Sequence, residues 1–106
     1  QDTALGLKYL QQAASQHNGL ALNALGEALE QGIGIEANLD QAIQCYRKAA
    51  AQVNADAYSH LGCLYTKGIG VERDIAIARQ WLEKGSLLGH EPSIEQLNNV
   101  NAYLHM

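Results

Sequence analysis

Apolar residues recur along this chain at helical spacing and are interrupted by glycine-containing corners. Ala57, Tyr58, Leu61, Leu64 and Tyr65 follow i, i+1, i+4, i+7, i+8, which places them on one face of a helix. Ala21, Leu22, Leu25, Ala28 and Leu29 show the same pattern earlier in the chain. A further apolar stripe follows each of these. The first runs through Leu39, Ala42, Ile43, Tyr46, Ala49, Ala50 and Val53, and the second through Ile75, Ala78, Trp81, Leu82 and Gly85. The pattern predicts an all-α chain of six helices, at roughly 2–16, 19–31, 39–52, 55–67, 74–88 and 92–104.

The stripes repeat with a fixed period. Gly26 and Gly62 stand 36 residues apart, and a gap-free alignment of 21–56 with 57–92 gives ten identities. They include Leu25/Leu61, Gly32/Gly68, Gly34/Gly70, Glu36/Glu72, Ala42/Ala78 and Lys48/Lys84. A period of this length is the signature of stacked helical repeats. Gly32 and Gly68 suit a left-handed helix end, and Gly34 and Gly70 loosen the corner that follows. Asn38 and Asp74 are good N-caps for the next helix. Gly26 and Gly62 fall inside helices, where glycine costs about 1 kcal/mol against alanine, so their recurrence predicts a close helix–helix approach. The flanks are partial copies: Asp2, Leu10 and Ala13-Ala14 match Asn38, Tyr46 and Ala49-Ala50. Ile94, Leu97 and Val100 match Tyr58, Leu61 and Leu64, while Asn98 replaces the packing glycine. The expectation is one repeat domain over 1–106, with full repeats at 21–56 and 57–92. The start at Gln1, without methionine, fits a fragment of a longer protein.

These residues resemble a family. The pattern A-x-x-x-L-G-x-x-Y-x-x-G-x-G-V-x-x-D, followed by an alanine, an aromatic pair and Lys-Ala-Ala, is that of Sel1-like repeats, relatives of the tetratricopeptide repeat. Ala57, Leu61, Gly62, Tyr65, Gly68, Gly70, Val71, Asp74, Ala78, Trp81 and Lys84 fit it. The earlier copy fits at Ala21, Leu25, Gly26, Gly32, Gly34, Ala42, Tyr46 and Lys48-Ala49-Ala50, departing at Leu29, Asn38 and Cys45. Leu82 and Gly85-Ser86 are the later copy's departures. The resemblance implies a right-handed α-solenoid of antiparallel helix pairs whose first helices line a concave face. It also implies an adaptor or scaffold that binds other proteins, in the bacterial envelope or periplasm or in the secretory pathway.

Composition narrows the chemistry. A formal net charge of −4 with seven Lys and Arg gives no nucleic-acid footprint, and no apolar run approaches the roughly 20 residues of a membrane span. The Gly-x-Gly corners lack the third glycine, the preceding strand and the Gly-Lys-Ser/Thr of phosphate cradles. His17, His60, His90 and His105 have no zinc-like spacing to one another or to cysteine. No metal, cofactor or catalytic constellation is expected, and the chain reads as a non-enzyme. Acidic pairs such as Glu27 and Glu30 read as a solvated helix face. Cys45 and Cys63 lie at equal distance from a turn near residue 54. An antiparallel hairpin would set them at one height, and helix rotation decides between a disulfide and a Cys45 that fills the core. The Sel1-like disulfides that clamp neighbouring helices join cysteines closer together in sequence than these.

The tetratricopeptide analogy directs a partner to first-helix positions that do not pack. These are Ser59, Cys63, Thr66 and Lys67, their copies Asn23, Glu27, Glu30 and Gln31, and then Glu95, Asn99, Ala102 and Tyr103. The row is polar and mildly acidic, able to hold a peptide backbone, with Tyr103 as an aromatic anchor. The leading expectation is a protein or peptide partner on this concave row. The alternative, resting on family analogy, is a segment that regulates or positions a peptidoglycan-cleaving envelope enzyme. Exposed end helices would also allow end-to-end self-association.

Overall fold

The computed structural model of the chain describes residues 8, 11–12, 14–16 and 18–104, the side chains of 103 and 104 excepted. Five helices are bounded within them: α1 (Gly19–Gln31), α2 (Leu39–Ala51), α3 (Ala55–Lys67), α4 (Ile75–Leu87) and α5 (Glu91–Leu104). The helix expected at 2–16 lies largely outside the described residues, although 8, 11–12 and 14–15 are helical. The expected bounds of α1 and α3 match. α2 and α4 each end one residue earlier than expected, α4 starts one residue later, and α5 starts one residue earlier.

The corners form as the glycine and cap positions dictate. Gly32 and Gly68 adopt φ of 74° and 70°, and their N–H groups return to the carbonyls of Ala28 and Leu64 at 2.8 Å. That satisfies carbonyls a helix end leaves without partners. Asn38 and Asp74 accept from the N–H groups of Gln41 and Ile77 at 3.1 Å. Their own N–H groups donate to Leu29 and Tyr65, fastening each corner to the helix before it. Pro92 sits in the first turn of α5, where no intrahelical N–H bond is lost.

The chain forms two compact units, 1–54 and 55–106. In the first, α1 packs on α2 around Ala42, Tyr46 and Ala49, all fully buried. In the second, α4 packs on α3 and α5, and α3 on α5, around Ala57, Leu61, Ala78 and Leu82. Gly26 lies under the Tyr46 ring, where a β-carbon would come within 2.6 Å of Cε1. Gly62 stands in the same relation to Leu82, and Gly85 to Ser93. Asn98, at the next repeat of the glycine position, is exposed.

One residue violates its backbone. Val53 has φ of 59°, a left-handed conformation that costs a β-branched residue about 1–2 kcal/mol. Its counterpart one repeat later is Gly89, at φ of 75°. Val53 is also exposed, so little packing offsets the strain. Val53→Gly is expected to raise stability by about 1 kcal/mol, read as a higher thermal midpoint. Gly89→Val is expected to lower it.

Candidate functional site

Asn23, Glu27 and Glu30 share one face of α1 through spacings of four and three. Asn23 Nδ2 donates to Glu27 Oε1 at 2.9 Å, and the Tyr46 hydroxyl, arriving from α2, donates to Glu30 Oε1 at 2.6 Å. Burial first, then the bond to Glu30 and the negative charge of Glu30, Glu27 and Cys45, hold the Tyr46 pKa well above the ordinary phenol value. Tyr46 therefore remains a donor, and it fixes one carboxylate of the row. Asn23 departs from the outward placement expected for it: it is 4% exposed, and its Oδ1 is buried with no hydrogen-bond partner among the described residues. A short amide held close to its own backbone is easily covered, whereas the longer Glu27 and Glu30 reach further out.

In the second unit Ser59 is likewise buried rather than outward. Its hydroxyl accepts from Gln96 Nε2 at 2.7 Å, so it ties α3 to α5. Beyond it, Cys63, Thr66 and Lys67 face Gln96, Asn99 and Val100 across a hollow of about 320 Å³. A neighbouring hollow of about 200 Å³ shares Thr66, Asn99 and Val100 and adds Arg73 and Ile75. Arg73 Nε donates to the Thr66 carbonyl at 3.1 Å, a cation placed at the negative end of α3. The two hollows combine an apolar floor with amide and cationic edges. Four expected residues, Cys63, Thr66, Lys67 and Asn99, thus meet around one concavity. Glu95 is exposed and borders neither hollow. The Tyr103 side chain lies outside the described residues. Gln96 and Arg73 were not foreseen, because their repeat counterparts, Ala24 and His60 for one and Ala37 for the other, show no shared character.

A triad of catalytic residue types also occurs. His90 Nε2 is 2.8 Å from Asp56 Oδ1, and His90 Nδ1 is 2.8 Å from Ser93 Oγ. Ser93 is fully buried, with its side chain pressed against Gly85, so its hydroxyl has no room for a substrate carbonyl. The set fastens the starts of α3 and α5 instead. Burial pushes the Cys45 thiol upward, only partly opposed by Lys48, which disfavours the nucleophilic thiolate. Both cysteines are free thiols. Among the described residues no cluster of His, Cys, Asp and Glu could hold a metal ion, and no helix is long and apolar enough to cross a membrane.

The repeat geometry agrees with the family comparison, in which the Sel1 repeat matches residues 1–18, 19–54 and 55–90. The chain belongs to the Sel1 repeat family. As in other Sel1 repeat chains, its fold is all-α and built from helix pairs. A Sel1 repeat protein from Oxalobacter formigenes is similar over 91% of this chain and 39% of its own, at 29% identity and a TM-score of 0.87. A protective antigen present in uropathogenic Escherichia coli strains, displaying an SLR fold, is similar over 96% of this chain and 22% of its own, at 32% identity and a TM-score of 0.90. Cysteine rich protein B of Helicobacter pylori is similar over 84% of this chain and 67% of its own, at 29% identity and a TM-score of 0.79. This Sel1 chain therefore spans well under half the length of the first two. No curated protein matches it.

Proposed function

We propose that this Sel1 repeat chain is a non-enzymatic adaptor that holds a protein or peptide partner at polar first-helix positions, each unit offering its own set. Sel1 repeats are generally modules of protein–protein interaction. The observation that carries the assignment is the hollow in the second unit, where Cys63, Thr66, Lys67 and Asn99 converge over an apolar floor. Amide and hydroxyl groups at its edges can pair with a peptide backbone, and Val100 can take an apolar side chain. Glu27 and Glu30 provide acceptors on α1, with Glu30 held by Tyr46. Asn23 and Ser59 act behind the surface, positioning Glu27 and Gln96.

The test is a titration with the partner identified by affinity capture from the source cell. Lys67→Glu and Asn99→Ala, which alter exposed side chains, are each expected to weaken binding about tenfold, the scale of a contact worth about 1.4 kcal/mol. Glu83→Lys, an exposed change on α4, is expected to leave it unaltered. Wild-type affinity in both row variants would refute the assignment.

A further inference from the structure

The first unit holds a hollow of about 410 Å³ that borders none of the polar row on α1. Leu25, Leu29 and Ile35 form its apolar floor, Gln41, Gln44, Cys45 and Lys48 line α2's side of it, and Gln11 borders it from the segment before α1. Its size falls in the range of small-ligand sites, about 300–1,000 Å³.

The internal repeat shows what is missing there. Thirty-six residues after Cys45 stands Trp81, and thirty-six after Leu29 stands Tyr65. In the second unit the Trp81 indole stacks on Tyr58, with ring centroids 5.9 Å apart. Lys84 Nζ lies 5.2 Å from the Trp81 ring centroid, within the reach of a cation–π contact. The counterpart of Lys84 is Lys48, which lines the hollow. The first unit has a cation at the same repeat position, while a thiol stands in place of the indole and Leu22 in place of Tyr58.

We propose that this hollow binds an aromatic side chain presented by a protein partner, an indole or phenol ring that meets Lys48 as Trp81 meets Lys84 in the second unit. Three features favour a ring over an aliphatic group. Lys48 can attract the face of a π-system. The Gln41 and Gln44 amides offer oxygens to an indole N–H or a phenol. Leu25, Leu29 and Ile35 give one face of a ring an apolar surface to lie on within a lining that is otherwise mostly polar. Its delivery by a protein rests on the adaptor reading above; the ring specificity rests on the hollow alone.

The probe is N-acetyltryptophanamide, titrated into the full chain while backbone amide shifts are followed by NMR. Saturable shifts are expected at Leu29, Cys45 and Lys48, absent with N-acetylleucinamide. Cys45→Trp fills the hollow from within and is expected to abolish them, while Lys48→Gln weakens binding about two- to fivefold. Leu29→Tyr, the second filling variant, serves if Cys45→Trp does not fold. No saturable response, an equal response to the leucine amide, or shifts that survive in a folded filled variant would overturn the proposal. In partner titrations the filled variants are expected to bind at least fivefold more weakly, and unchanged affinity would overturn the partner-borne source. Lys67→Glu and Asn99→Ala test the adaptor reading separately, so the two can fail independently.

Discussion

Tyr46→Ala is expected to remove about 3–5 kcal/mol of folding stability, the cost of truncating a large aromatic side chain in a packed core. Against a typical total of about 5–15 kcal/mol, that is a large fraction of what holds the first unit together. The side chain is fully buried, its ring covers Gly26, and its hydroxyl reaches Glu30. Glycine at 26 leaves no side chain to refill the space. Tyr46→Phe keeps the ring and loses the hydroxyl, so it is expected to cost only about 1 kcal/mol. The pair also separates in alkali. The folded-state pKa of Tyr46 lies above its unfolded value of about 10, so the native state retains a proton that the unfolded state has lost. Stability from this group is complete below about pH 10 and declines as pH rises beyond it. Urea midpoints taken from pH 8 to 11 are expected to fall more steeply in the wild type than in Tyr46→Phe. A Tyr46→Ala loss below about 1 kcal/mol would contradict this packing.

The second large effect is expected at Gly62. By helix propensity alone, replacing an interior glycine stabilises a helix by up to about 1 kcal/mol. Here a β-carbon would overlap Leu82 at its branching carbon as well as one methyl group, so moving the end of the side chain gives no relief. Gly62→Val is therefore expected to lose about 1–3 kcal/mol by overpacking. Leu82→Ala, itself destabilising through the cavity it leaves, is expected to cost less in the Gly62→Val background than alone. Thermal midpoints of the two singles and the double close the cycle. Additive losses would show that the two side chains do not meet.

Features written twice, 36 residues apart, were the legible ones. The helix ends at Gly32 and Gly68, the caps Asn38 and Asp74, and the tight contacts at Gly26 and Gly62 each have a backbone or packing cause that one residue type meets, and the structure places all of them as expected. The candidate site was only partly legible. Thr66, Lys67 and Asn99 could be placed on helix faces by spacing, and they converge. The burial of Asn23 and Ser59 could not be read this way, because a short polar side chain carries the same sequence signal whether solvated or covered. Ser59 is engaged by Gln96, 37 residues away, at a repeat position otherwise held by Ala24 and His60. The hollow beside Cys45 was visible in the sequence only as a departure from an aromatic pair. Its meaning required the geometry of Trp81 and Lys84.

The most direct test of the adaptor assignment is site-specific photo-crosslinking. Benzoylphenylalanine placed at Lys67, Asn99 or Glu83 in the full chain would be irradiated in the presence of the partner. All three positions are exposed, so each label is accessible before binding. Adducts from Lys67 and Asn99, with none from Glu83, are the predicted result. Adducts from Glu83 alone, or in equal yield from all three, would contradict the assignment of the partner to the first-helix row.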